Sequence, residues 1–161
     1  MRAHINPLGN VNFPVPLSPT WVDWSIHFPA AYGIPDNNGD KKFNNTNKYP
    51  LTYEKDLADT PNFKFETLEE KERKQVKILD IGCGYGGLLY ALANLDEFKD
   101  KLMLGMEIWD KVTNFCTDRI NALWINNDYE KYMNISVIRT NVMKTILNYF
   151  QKGQIEKMFF C

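Results

Sequence analysis

The 161-residue chain predicts a single α/β domain of the Rossmann-like type, with strands alternating with helices. Two observations carry that expectation. The apolar, β-branched run from Val76 to Ile81 stops at closely spaced glycines, and residues 88–93 then offer strong helix formers without a breaker. Strand, glycine turn and helix open a nucleotide-binding unit, where missing side chains let a ligand approach the backbone at the end of the first strand. The second observation is repetition. Further apolar runs at residues 102–108, 135–139 and 155–161 follow at intervals filled by helical or turn sequence, giving about four strands in all.

Composition narrows the class. With 44% hydrophobic and 14% aromatic residues the chain is able to build a core, and its net charge of -1 provides no overall basic field for nucleic acid. A local basic patch is still allowed. Cys83, Cys116 and Cys161 are few, odd in number and widely spaced, which is neither a disulfide framework nor a zinc pattern and suits a reducing compartment. The start has no apolar signal region and no run approaches membrane-spanning length, so a soluble, intracellular protein is expected.

Residues 1–35 hold Pro7, Pro14, Pro16, Pro19, Pro29 and Pro35 among the aromatics Phe13, Trp21, Trp24, Phe28 and Tyr32. The prolines forbid long helices and central strands, while the aromatics need cover. An extended arm lying against the domain or a partner is expected, with a short helical turn near residues 23–28. His4 and His27 lack cysteine or carboxylate ligands at metal spacing and read as structural or exposed. Residues 36–75 change character, with Asn-rich and mixed-charge runs that read as a low-complexity, disordered insertion. Lys41, Lys42 and Lys48 fit a solvated linker better than a phosphate site.

The remaining residues, 76–161, form the ligand-binding half-domain. Gly82, Gly84 and Gly87 satisfy the dinucleotide spacing G-x-G-x-x-G, whereas Gly82, Gly84 and Gly86 satisfy the G-x-G-x-G of methyltransferases. Asp80, two positions before Gly82, discriminates between them. A carboxylate there repels a pyrophosphate but favours the sulfonium and ammonium of S-adenosyl-L-methionine. A plain loop-forming role for Asp80 is the alternative. After a polar turn at 96–101, the second strand (102–108) reaches Glu107, placed to accept hydrogen bonds from a ribose diol in either nucleotide-binding class. Val112, Phe115, Cys116, Ile120, Leu123 and Trp124 recur at helical spacing as a core stripe. Residues 126–129 break that helix. The third strand (135–139) leads to Asn141, able to pair with an adenine edge or to serve as an ordinary helix N-cap. A short helix (143–150), a turn at 152–154 and the fourth strand (155–161) complete the chain.

Assembled, these segments resemble the eukaryotic tRNA (guanine-N7-)-methyltransferases. The resemblance rests on Arg2-Ala3-His4-Ile5-Asn6-Pro7, Asp23-Trp24-Ser25, the corner from Asp80 to Leu89, Leu104-Gly105-Met106-Glu107-Ile108, residues 139–144, and Lys152-Gly153-Gln154 with Lys157-Met158-Phe159-Phe160. It implies a Rossmann-like class I methyltransferase fold and S-adenosyl-L-methionine as cofactor. Gly82 would line its methionine end, Glu107 and Ile108 its ribose, Asn141 and Val142 its adenine, and Cys161 would complete the lining. It further implies tRNA as substrate, a WD-repeat non-catalytic subunit as partner, no membrane, and a nuclear location. Trp109 stands where related sequences usually carry a basic residue, and Val142 replaces a smaller alanine. Family members continue past the fourth strand into a Pro-Asp-Pro-His motif, whose Asp is assigned to the active site, and three more strands. None of these follows Cys161, so the expectation is the N-terminal part of a methyltransferase, without a nameable catalytic residue. The alternatives are a noncatalytic fragment that binds the methyl donor or a protein partner, and a nicotinamide-dependent oxidoreductase.

Overall fold

The computed structural model describes residues 74–160 without a break, together with 15–16, 18–19, 22, 24 and 27–32. The expected insertion, apart from its last two residues, its lysines Lys41, Lys42 and Lys48, His4 and Cys161 lie outside the described residues. Four parallel strands, β1 (Val76–Ile81), β2 (Leu102–Glu107), β3 (Ile135–Arg139) and β4 (Lys157–Phe160), form one sheet in the order β3-β2-β1-β4. Helices α1 (Gly87–Ala93), α2 (Asp110–Asn126) and α3 (Val142–Tyr149) connect them. A parallel sheet needs a crossover between neighbours, which is why each strand is followed by a helix or, before β4, by a helix and turn. It also sends every strand's C-terminal end to the same edge.

Side chains alternate across the sheet and build a core on each face. Leu79, Leu102, Leu104, Met106 and Ile138 point to one, where Tyr149 and Phe150 join Trp24, Phe28 and Tyr32 of the N-terminal segment. Ile78, Met103, Ile135 and Val137 point to the other, under Leu89 and Leu92 of α1 and Cys116, Ile120 and Trp124 of α2. The described N-terminal aromatics thus cover a sheet face beside α3. The indole of Trp24 stacks on Phe150 with ring centroids 5.7 Å apart, and the Tyr32 hydroxyl donates to the Lys74 carbonyl at 2.9 Å. The amides of His27 and Phe28 both donate to the Trp24 carbonyl, and a 3-10 turn, Pro29–Tyr32, follows. His27 is fully buried, and burial lowers its pKa to about 4.

One expectation needs correction. Phe115 does not belong to the core stripe of α2, because it is 53% exposed while Cys116, Ile120 and Trp124 are buried. The buried face follows positions 113, 116–117, 120–121 and 124, and at about 100° per residue position 115 falls on the opposite side of the helix.

Candidate functional site

The C-terminal edge of the sheet gathers the acid-and-glycine corner, the end of β2 and the end of β3. After β1 the chain turns at once: the amides of Gly82 and Cys83 donate to the Met106 carbonyl at 2.8 and 3.4 Å, tying the corner to β2. Gly82, Gly84 and Gly86 take positive φ values of 71°, 54° and 76°. Gly86 is doubly constrained, since a Cβ there would lie 2.7 Å from the Cys116 sulfur and 2.8 Å from the Tyr90 hydroxyl. Gly87, the third glycine of the dinucleotide spacing, has neither constraint, and a Cβ there would meet nothing within 4 Å. The backbone therefore uses the 82-84-86 set.

Glu107 closes the loop from the other side. Its Oε2 accepts from the Gly84 amide at 3.0 Å, and its Oε1 accepts from the amides of Ile108 at 2.7 Å and Trp109 at 3.0 Å. An ionised carboxylate has about four acceptor positions, so this one staples two loops and retains capacity for a further donor. The Glu107 carbonyl accepts from Thr140 at 2.9 Å, joining the third loop to the group.

Asp80 is buried at 1% exposure, and its Oδ1 has no hydrogen-bond partner. Burial, with the nearby Glu107 charge, raises its carboxyl above the usual range. Beneath the loop, Tyr90 and Cys116 are hydrogen-bonded at 3.3 Å. A hydrogen bond between the two thiols pushes Cys83 well up and draws Cys116 down. Trp109 is the N-cap residue of α2, with its indole N–H buried and unpartnered.

The predicted residues that are described, all but Cys161, thus fall at one edge. Gly82, Glu107 and Ile108 share the hydrogen-bonded corner, and Asn141 and Val142 follow β3 on that same edge. Asn141 occupies the N-cap position of α3 but makes no side-chain capping bond; its carbonyl accepts from the Lys144 and Thr145 amides. Sequence reasoning missed the stapling role of Glu107 and the orphaned indole of Trp109, because neither has a local pattern. A cleft of about 890 Å³ lies elsewhere, lined by Lys74, Asn94, Lys99, Leu102 and Asn134 near the N-terminal ends of β1, β2 and β3.

No helix among the described residues is long and apolar enough to cross a membrane, and no cluster of three or more His, Cys, Asp or Glu there could hold a metal. Over 159 residues the chain is 44% identical to the Arabidopsis thaliana protein named tRNA (guanine-N(7)-)-methyltransferase, a match taking in 99% of this chain and 49% of that relative. The same name belongs to an Oryza sativa subsp. indica relative, 43% identical over 99% of this chain and 50% of its own length. A Xenopus tropicalis tRNA (guanine-N(7)-)-methyltransferase A is 41% identical, again over 99% of this chain and 50% of the relative. The chain spans about half the length of the curated relatives it matches. Residues 74–161 match the family model described as "Putative methyltransferase", more than half of the sequence and the whole of the sheet; the chain belongs to that methyltransferase family.

Proposed function

We propose that the chain builds the methyl-donor side of a tRNA (guanine-N7-)-methyltransferase, with S-adenosyl-L-methionine as the donor. The observation that carries the proposal is the corner after β1. Its positive-φ glycines are 82, 84 and 86, and the carboxylate beside them is buried with one oxygen unpartnered. A pyrophosphate set on the α1 N-terminus would meet Asp80 and Glu107, two acids that disfavour it. A ligand with cationic groups and a ribose diol suits these acceptors, because Asp80 has an unsatisfied oxygen and Glu107 has spare acceptor capacity.

In this reading Gly82 lets the methionine end approach the backbone. Glu107, fixed by three amides, accepts from the ribose beside Ile108. Asn141 and Val142 flank the adenine, and Cys161 adds to the lining. The bound donor supplies an electrophilic methyl on positively charged sulfur. Guanine N7 has an in-plane lone pair and no proton, so no strong base is required and the rate would rest on positioning and electrostatics. On the names of the relatives, tRNA is the substrate; the resemblance adds a variable-loop guanine, a WD-repeat partner subunit and a nuclear location.

Calorimetric titration tests the reading. Adenosylhomocysteine is expected to bind the purified chain and NAD is not; saturable NAD binding with no adenosylhomocysteine binding refutes it.

A further inference from the structure

Beside the glycine corner two large aromatic side chains stand in solvent. Tyr85, held between Gly84 and Gly86, is 59% exposed, and Phe115 on α2 is 53% exposed. Their rings meet edge to face, with centroids 5.1 Å apart and planes at 81°. The contact joins two elements, so neither ring is a stray surface residue, and each keeps a face open. On α2, Lys111 and Arg119 lie one turn before and one turn after Phe115, on the same helix face and exposed. The Arg119 guanidinium also lies 4.1 Å from the ring centroid of Tyr90 on α1. Asp118 shares this region, while Asp110 is taken up by Arg139 at 2.9 Å. The face therefore combines an aromatic pair with flanking cations.

We infer that Tyr85 and Phe115 form a stacking platform for an unpaired base of the RNA substrate, with Lys111 and Arg119 contacting the adjoining phosphates. The inference rests on the tRNA reading above and goes beyond it by assigning an RNA-contacting surface. Single-stranded RNA is held chiefly by stacking on aromatic faces and by cations along the backbone. The chain's overall charge of -1 makes a local site of this kind more informative than any global attraction. Tyr85 is in the loop that Glu107 staples, so a base stacked there sits next to the proposed donor site. A protein partner would also cover aromatics, but it has no need of cations one turn away on both sides.

The test is fluorescence anisotropy of a labelled, unmodified tRNA transcript at one fixed salt concentration, with the full chain. Tyr85→Ala and Phe115→Ala are each expected to weaken binding roughly 5- to 100-fold, the range seen when one stacked base loses its aromatic partner. Phe115→Trp is expected to restore it, and Lys111→Ala to weaken binding and lower the salt slope by about 1. Adenosylhomocysteine titrated into Phe115→Ala should bind as it does to wild type, which separates this platform from the donor site. Both rings are exposed, and a circular-dichroism melt verifies that the variants fold. Alanine variants that bind tRNA like wild type overturn the inference and leave the face to a protein partner. Wild type that binds adenosylhomocysteine but no tRNA overturns it as well. Should wild type bind tRNA but not adenosylhomocysteine, the donor reading fails, and the alanine pair alone decides the platform.

Discussion

Replacing Asp80 with asparagine should stabilise the fold and damage the site. The carboxyl is buried, one oxygen lacks a partner, and burial together with Glu107 raises its pKa. A raised carboxyl pKa means that the folded chain holds the proton to higher pH than the unfolded chain, whose value is 3.8. Stability is therefore greatest in acid with respect to this group. It falls as pH rises from the unfolded value through the raised one. Asn keeps the shape and removes the charge. Losing the charge removes its desolvation cost and its repulsion from Glu107, and each kcal/mol so gained should raise Tm by about 2–4 °C for a chain of this length. The donor should respond in the opposite direction. A cation about 5 Å from the carboxylate, at an effective dielectric of about 20, gains about 3 kcal/mol, so Asp80→Asn should weaken S-adenosylmethionine binding roughly 100-fold. Thermal melts paired with calorimetric titration at pH 7 measure both. An Asn variant that melts below wild type, or that binds the donor equally well, refutes the argument.

Other expectations follow from the same geometry. Gly86→Ala must place a methyl 2.7 Å from the Cys116 sulfur at a φ of 76° and should cost about 2–4 kcal/mol in urea unfolding. Gly87→Ala has open space at the start of α1 and should instead gain about 0.5–1 kcal/mol; equal losses at both positions would contradict the assignment of the glycine set. Glu107→Gln removes the charge that accepts three amides and should cost about 2–4 kcal/mol in urea unfolding, with loss of adenosylhomocysteine binding. His27 has a folded pKa of about 4 against 6.5 unfolded, so its contribution is complete above pH 6.5 and lost as pH falls toward 4. Between pH 7 and pH 5 this removes about 2 kcal/mol, and His27→Phe should flatten that part of the urea-stability profile.

Much of the core was legible from the chain. Residues 76–81 and 135–139 are strands because short, β-branched apolar runs end at glycine or polar residues, and residues 88–93 continue as helix because nothing interrupts their helix formers. The Asp80-to-Gly87 corner was visible as a tight glycine turn after the first strand, and Glu107 as an acid closing the second strand. Phe115 was misplaced because a six-residue apolar stripe does not by itself fix which edge residues rotate out of the core.

By itself, then, the sequence determined the local alternation of strand and helix, the glycine corner and the acids near it, since propensity and periodicity are properties of neighbouring residues. Only the tertiary structure decided that glycines 82, 84 and 86 take positive φ. It also turned Glu107 toward the Gly84, Ile108 and Trp109 amides, laid Trp24 on Phe150 and brought Tyr85 against Phe115. Those outcomes depend on the β3-β2-β1-β4 order, which aligns the strand ends and joins residues far apart in the chain. No local pattern of residues encodes that juxtaposition.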